Sequence, residues 1–227
     1  MGFLTTPLDS AFGSRSKVRL LRLLVEQDRT VSAREAARLT GSTNPAMLAA
    51  VDELARLGLI HREISGRQFL CRANRDHRLF KTFKRLFRDE SHWPAMFFDT
   101  VRASLTAVEQ KGGIVSGGRA HVTAAWLFGS AATGEDKPGS DIDLFVLTSD
   151  DEGVQRILEA IADNVAGWRK EFGADVRPVV MAREQVATQL RKDNRFLRRA
   201  IRSARMIMGE IPRELCNGKT HNDTKNR

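Results

Sequence analysis

The apolar positions fall into three blocks along the chain, each with its own period. In the first block Leu20, Leu21, Leu23 and Leu24 recur at helical spacing and predict a helix from about Ser16 to Glu26. The run TVSAREAARLTG predicts a second, with Ser32 as N-cap, Glu35 three residues on in the capping-box position, and Gly41 at its end. Asn44-Pro45 opens a third, because proline is tolerated in the first helical turn. Met47, Leu48, Val51, Leu54 and Leu57 give it an apolar stripe, and Gly58 closes it. Two β-prone runs follow, LIHREI and QFLCRA, and the Ser65-Gly66 turn between them signals a hairpin.

The second block, residues 76–113, carries Leu79, Phe80, Phe83, Leu86 and Phe87 at helical spacing. Pro94 interrupts it, Phe97, Val101, Leu105 and Val108 resume the period, and Gly112-Gly113 stops it. This block reads as a helical connector whose aromatic stripe is core or, less often for such stripes, a partner surface. In the third block VTAAWLF and DIDLFVL are strand-like, and Glu152 to Phe172 alternates with a helical period. DVRPVVM is a further strand that Pro178 consigns to an edge or a bulge, and AREQVATQLRKDNRFLRRAIRSA returns to helix. Alternating strands and helices predict a small mixed-sheet domain over 114–210 behind an N-terminal domain over 1–75, an α+β chain in all. The polar stretch 211–227 is expected to be a disordered tail.

Charge sharpens the picture. Lys and Arg number 37 against 28 Asp and Glu, a formal charge of +9, which favours a polyanionic partner such as nucleic acid or a nucleotide. No apolar run reaches the length of a membrane span, and the first residues, MGFLTTPLDSAFGS, lack the basic flank and long apolar core of a signal peptide. Cys71 and Cys216 stand in no metal-ligand spacing. The expectation is a cytoplasmic chain with reduced thiols and no membrane partner.

The chemistry concentrates in LFGSAATGEDKPGSDIDLFV. A strand ends at Phe128. Gly129 lets a ligand approach the backbone without a Cβ in the way, and Ser130 follows where free N–H groups and a hydroxyl can hold phosphate oxygens. After the ten residues Ala131 to Ser140, Asp141 and Asp143 enter the next strand. Residues i and i+2 share a face, so the two carboxylates project together with Cα atoms roughly 7 Å apart and can converge on one cation. Mg²⁺ commonly takes one or two carboxylates plus substrate phosphates. A plainer reading has Ser140 and Asp141 capping a turn while Asp143 makes a surface pair.

Gly-Ser, a spacer of this length and Asp-x-Asp between the apolar flanks WLF and LFVL resemble the DNA polymerase beta-like nucleotidyltransferase superfamily, especially its small MNT-type members. The resemblance implies an NTP, ATP foremost, held at Gly129, Ser130 and Ser140, with Mg²⁺ or Mn²⁺ on Asp141 and Asp143. It implies transfer of a nucleoside monophosphate to a hydroxyl on RNA, protein or a small molecule. Two departures stand out. Thr133 occupies the place of a basic residue near the phosphates. The third carboxylate of the family is expected where this chain has Val179, and Asp175 is the sole acid in that strand, with Arg177 between.

The order helix, helix, turn, helix and hairpin in the first block resembles the ArsR/MarR-like winged-helix class, carried by AREAARLTG, LAAVDELARLGLI and the Gly-Arg-Gln wing. The resemblance implies DNA contact from Ser42, Thr43 and Asn44 at the recognition-helix entry and from Arg62 and Arg67 in the wing. Residues 1–75 hold 12 Lys and Arg against 7 Asp and Glu, which suits phosphate contacts. The alanines at 46, 49 and 50 suit a dimerisation or protein-docking module instead. As a whole the chain resembles prokaryotic winged-helix nucleotidyltransferase proteins. Three roles stay open: a transferase, a DNA-binding regulator whose second domain senses nucleotide or is an inactive scaffold, and an antitoxin-like protein. A homodimer is compatible with each. The basic run Arg183 to Arg205 is either a solvated helix face or an electrostatic funnel.

Overall fold

The computed structural model of the protein describes residues 4–6, 8–66, 68–111 and 122–217. It divides into two compact units, Thr5–Trp93 and, together, Met1–Leu4 and Pro94–Arg227.

In the first unit a short helix α1 (Leu8–Ala11) precedes α2 (Arg15–Gln27), β1 (Val31–Ser32), α3 (Ala33–Thr40), α4 (Asn44–Arg56), β2 (Ile60–Ser65) and β3 (Gln68–Ala73). The Ser32 hydroxyl accepts the Glu35 N–H at 3.1 Å, and Gly41 ends α3 with φ +64°. The reciprocal half of the capping box is missing, because the Glu35 carboxylate takes Arg29 instead. Thr43, the residue before Asn44-Pro45, caps α4. β2 and β3 form the foreseen hairpin, with Ser65 opposite Gln68. The two-residue β1, which the periodicity does not reveal, adds to β3 as a third strand. Three helices and a three-stranded antiparallel wing are the winged-helix arrangement.

The apolar faces of α2, α3 and α4 meet in one cluster, with Leu20, Leu24, Met47 and Val51 fully enclosed. Beside it lies a buried charge network. The Arg22 guanidinium donates to Glu90 Oε2 from Nε and to Asp9 Oδ1 from its terminal nitrogen, both at 2.8 Å. Arg19 donates to the other Asp9 oxygen at 2.5 Å, and the Leu8 N–H donates to Glu90 at 3.0 Å. Asp9 and Glu90 are 4% and 6% exposed, so these donors take the place of the water that burial removes.

The predicted break at Pro94 does not occur. Residues Phe80–Lys111 form one helix, α5, with Pro94 inside it, and the boundary between the units falls at that proline. An internal proline costs about 3 kcal/mol. Phe97, Val101 and Leu105 are fully buried after it and Phe87 almost so before it, at about 1.5–3 kcal/mol each. Burial therefore outweighs the lost backbone bond. The expected helical connector is this single helix over its described residues, rather than two helices broken at Pro94.

The second unit continues with β4 (Val122–Phe128), α6 (Gly129–Thr133), β5 (Ile142–Thr148), α7 (Asp151–Phe172), β6 (Val176–Ala182), α8 (Arg183–Arg191), α9 (Arg195–Arg202), β7 (Arg205–Gly209) and α10 (Arg213–Asn217). The sheet order is β6-β5-β4-β7, with β6 parallel to β5 and the other pairs antiparallel. Pro178 thus lies on an edge strand, as its missing N–H requires. On one sheet face Trp126, Phe128, Phe145 and Leu147 pack with Val186, Leu190, Leu197 and Ala200. The Trp126 and Phe145 rings stack at 4.4 Å, and Trp126 Nε1 donates to the Ala200 carbonyl at 3.1 Å. Away from that cluster Phe97 meets Phe172 edge to face at 5.1 Å. On the edge strand β7, Arg102 donates from two nitrogens to the Ile207 carbonyl, at 3.1 and 2.8 Å.

The expected tail begins later than the composition implies. Residues 213–217 are helical, Leu215 is 3% exposed within the same cluster, and Arg183 pairs with Glu214. The remainder, 218–227, lies outside the described residues.

Arg22→Met strands Asp9 and Glu90 with too few donors. It is expected to destabilise the first unit by about 3–5 kcal/mol, read as a shift of the corresponding transition in a urea melt followed by circular dichroism. A midpoint unchanged from wild type contradicts this account of the network.

Candidate functional site

The antiparallel register of β4 and β5 sets Phe128 opposite Asp143. The chain then turns at Gly129 into α6, with φ +70°. A Cβ built there would lie 2.5 Å from Asp143 Oδ2, so the carboxylate occupies the space a side chain would need. The left-handed backbone at position 129 favours glycine, and any side chain there would have to displace the Asp143 carboxylate. The first turn of α6 is thereby held against an acid, with its unpaired N–H groups beside it.

The Ser130 hydroxyl has no hydrogen-bond partner among the described residues, whereas its carbonyl accepts the Glu135 N–H at 2.9 Å. Thr133 does not act as a stand-in base. Its hydroxyl bonds back to the carbonyls of Gly129 and Ser130, at 3.4 and 3.2 Å, and to Glu135. Ser140 has a turn role: its hydroxyl accepts the Lys137 N–H and its N–H donates to the Lys137 carbonyl, at 3.0 and 2.9 Å. That much of the plainer reading holds. Between these turns Asp136 is 7% exposed and accepts the Leu4 N–H at 2.6 Å, anchoring the loop.

Asp141 and Asp143 share the sheet face of Phe145 and Leu147, the one covered by α8 and α9. Burial pushes the Asp143 carboxyl above its ordinary value and the charge of Asp141 adds to this, while Arg177 and Arg199 oppose it. Arg199, on α9, is the member of the basic C-terminal run whose charge reaches the site, and nothing in its sequence setting singles it out. Phe196, one turn earlier, rests edge to face on Phe128 at 5.4 Å.

Among the described residues no third carboxylate joins Asp141 and Asp143. In the parallel pairing Arg177 lies beside Asp143 and Val179 beside Phe145. Val179 packs into the apolar cluster. The Asp175 side chain pairs with Arg169 of α7 at 3.3 Å, and its carbonyl accepts the Ile142 N–H at 2.7 Å. The Arg177 guanidinium lies 2.9 Å from Asp141 Oδ2. Among the described residues no group of three or more His, Cys, Asp or Glu could hold a metal ion. The donor set fits a divalent cation that arrives with phosphate oxygens, since two carboxylates suffice for that, and not one caged by protein alone.

In the winged helix the entry of α4 forms a groove with Arg34, Arg38 and Gln68, all exposed. Sequence reasoning passed over these three because α3 and β3 bring them there. Ser42 receives a bond from Thr40 at 3.1 Å, and Thr43 is spent on the Ala46 N–H. Asn44 alone of the predicted trio keeps its side chain uncommitted among the described residues. Arg62 pairs with Asp52 of α4 and lies over the Phe69 ring of β3 at 5.1 Å, so it is engaged within its own unit. Arg67 lies outside the described residues. Ala50 is 1% exposed and belongs to the core, not to a docking face. Among the described residues no helix is long and apolar enough to cross a membrane.

Because the folded state favours protonated Asp143, this group contributes stability at low pH that is lost as the pH rises through its raised value. Ionised Asp143 is thus a cost to the fold at neutral pH. Asp143→Asn is expected to leave the melting temperature at pH 7 unchanged or higher, and to flatten its pH dependence in the acid range. A marked fall in melting temperature at pH 7 contradicts this.

Comparison with known proteins agrees with the carboxyl-terminal geometry. Residues 117–209 match the family model described as Polymerase beta, Nucleotidyltransferase. No curated protein matches the chain. Among solved structures, MepR, described as a transcription regulator of the Staphylococcus aureus multidrug efflux pump MepA, is 16% identical. The match covers 48% of this chain and 86% of that one, with a TM-score of 0.33. A MarR-family transcriptional regulator from Rhodococcus sp. RHA1 is 22% identical over 46% and 81%, with a TM-score of 0.32. The archaeal chromatin protein TrmBL2 is 11% identical over 77% and 80%, with a TM-score of 0.29. Built on the Gly129–Asp143 approach and matched over residues 117–209, the carboxyl-terminal domain is a polymerase-beta-type nucleotidyltransferase domain, carried in one chain with an amino-terminal winged helix.

Proposed function

We propose that the protein binds a nucleoside triphosphate together with a divalent cation and transfers the nucleoside monophosphate to a hydroxyl acceptor. The observation that carries this reading is the contact of Asp143 with the Gly129 backbone, which sets an acid against the free N–H groups of the α6 turn. In it the triphosphate lies on the Gly129 and Ser130 N–H groups and the Ser130 hydroxyl. Asp141 and Asp143 hold Mg²⁺ or Mn²⁺, which neutralises triphosphate charge and polarises the phosphoryl group. Arg199 supplies a further positive charge on the α9 side. Ser140, tied into its turn, is left out of the nucleotide contacts.

A second reading is favoured by the Arg177–Asp141 pair in place of a third carboxylate. In it the domain binds nucleotide without transferring it, and the winged helix acts as a DNA-binding regulator. Support for DNA contact is the exposed Arg34, Arg38 and Asn44 around the α4 entry and the formal charge of +9.

Calorimetry with ATP and Mg²⁺ is expected to show binding by the full chain that weakens about tenfold or more in Asp143→Ala. Absence of wild-type binding ends both readings of the domain. With α-labelled ATP, label carried on RNA or protein selects the first reading, and binding without any transfer selects the second.

Replacing Arg34 and Arg38 by Ala is expected to weaken binding to duplex DNA and to lower the slope of log affinity against log salt by about one per residue. Fluorescence anisotropy at several salt concentrations reads it. A slope equal to that of the wild type rejects this face as the DNA contact.

A further inference from the structure

We propose that Arg177 is a built-in counter-ion of the carboxylate pair, one that keeps Asp141 and Asp143 from holding a divalent cation until a polyphosphate draws the guanidinium away. The proposal rests on the reading that this site takes a cation with a nucleotide, and it concerns what governs that uptake.

The placement is set by strand geometry. β5 and β6 run parallel and in register through Asp143 and Arg177, so Arg177 emerges on the face of the two acids. Its guanidinium reaches diagonally to Asp141, the acid nearer the strand entrance, at 2.9 Å. The neighbouring acid of β6, Asp175, is turned to Arg169 and leaves the pair to Arg177. Arg199 adds a second positive charge within reach of Asp143. Arg177 thus offsets one of the two carboxylate charges, and the Arg199 charge reduces what remains. A divalent cation entering alone has to displace one of these charges and gains little for doing so.

A polyphosphate changes that balance. The Arg177 side chain is 71% exposed against 31% for Asp141, so the guanidinium sits at the mouth of the site and can leave by side-chain rotation. A guanidinium binds phosphate oxygens through the same fork of N–H donors that it offers a carboxylate. When phosphates lie on the α6 turn, Arg177 can move from Asp141 to them and free both carboxylates together. The arginine then serves the bound state as a phosphate ligand and the free state as a stopper. No bond is made or broken in this exchange, only ion pairs.

The experiment titrates Mn²⁺ into the full chain, with free Mn²⁺ read by electron paramagnetic resonance, in the absence and presence of inorganic tripolyphosphate. Wild type is compared with Arg177→Gln and with Arg169→Gln, which removes an equal charge from the Asp175 pair. Without tripolyphosphate, Arg177→Gln is expected to bind Mn²⁺ about threefold to fivefold more tightly than wild type, and Arg169→Gln to match wild type. With tripolyphosphate the advantage of Arg177→Gln is expected to vanish or reverse. Equal Mn²⁺ affinity in wild type and Arg177→Gln overturns the proposal, and so does an equal gain in both variants. ATP binding that is lost in Asp143→Ala, alongside an unchanged Mn²⁺ affinity in Arg177→Gln, overturns this proposal alone. A gain of Mn²⁺ affinity in Arg177→Gln with no ATP binding overturns the nucleotide reading and the polyphosphate half of the exchange.

Discussion

The approach of Asp143 to the Gly129 backbone is the constraint on which the second unit depends. It requires β4 and β5 to pair antiparallel with Phe128 opposite Asp143. That register places Trp126 against Phe145 and so defines the apolar face that α8 and α9 cover. The acids occupy the end of this face, where the sheet runs out of apolar side chains and the covering helices expose arginines. A polar site and a hydrophobic core are therefore successive stretches of one strand. A one-residue slip would carry Asp143 to the face where Ile142, Leu144 and Val146 are buried and would exchange the contents of two packed faces, so core packing guards the site's alignment.

Much of this was legible in the chain. Ser32, Gly41 and Asn44-Pro45 mark real helix ends, because capping is local chemistry. The turn at Gly129 and the shared strand face of Asp141 and Asp143 are legible for a similar reason: strand parity and a tight turn need only near neighbours. What stayed hidden depends on distant partners. Pro94 reads locally as a break, and it is held in a helix by the burial of Phe87, Phe97 and Leu105. β7 is short and flanked by polar residues, so its pairing with β4 could not be inferred from periodicity. Leu215 seemed part of a polar tail until Val186 and Leu190 supplied a surface for it. Arg177 was visible as a residue between Asp175 and Val179, but its contact with Asp141 exists only in the parallel register of two strands separated by α7.

The arginines divide by burial into different kinds of work. Arg22 is 13% exposed at its side chain and satisfies two buried acids, so it is structural. Arg62 and Arg102 are tied to partners inside their own units, one to Asp52 and one to the edge strand. Arg34 and Arg38 carry no such tie among the described residues, and Arg199 and Arg177 face the acid pair. The formal charge of the chain thus overstates what is available to a polyanion. Exposed Arg34 and Arg38 at the α4 groove belong to the part that stays uncommitted among the described residues.

The placement of β7 bears on how the molecule is made. β4 is an interior strand whose second partner lies near the far end of the chain. During synthesis from the amino terminus, β4 and β5 emerge and can pair, while one flank of β4 has nothing to bond until residues 205–209 leave the ribosome. At about 5–20 residues per second that interval lasts several seconds. Gly209 sharpens the lateness, because its left-handed backbone presses against Thr123 so closely that a side chain there would strike the Thr123 carbonyl. The nascent sheet therefore carries an open edge until the last strand arrives, while the winged helix, complete by Trp93, can already have folded.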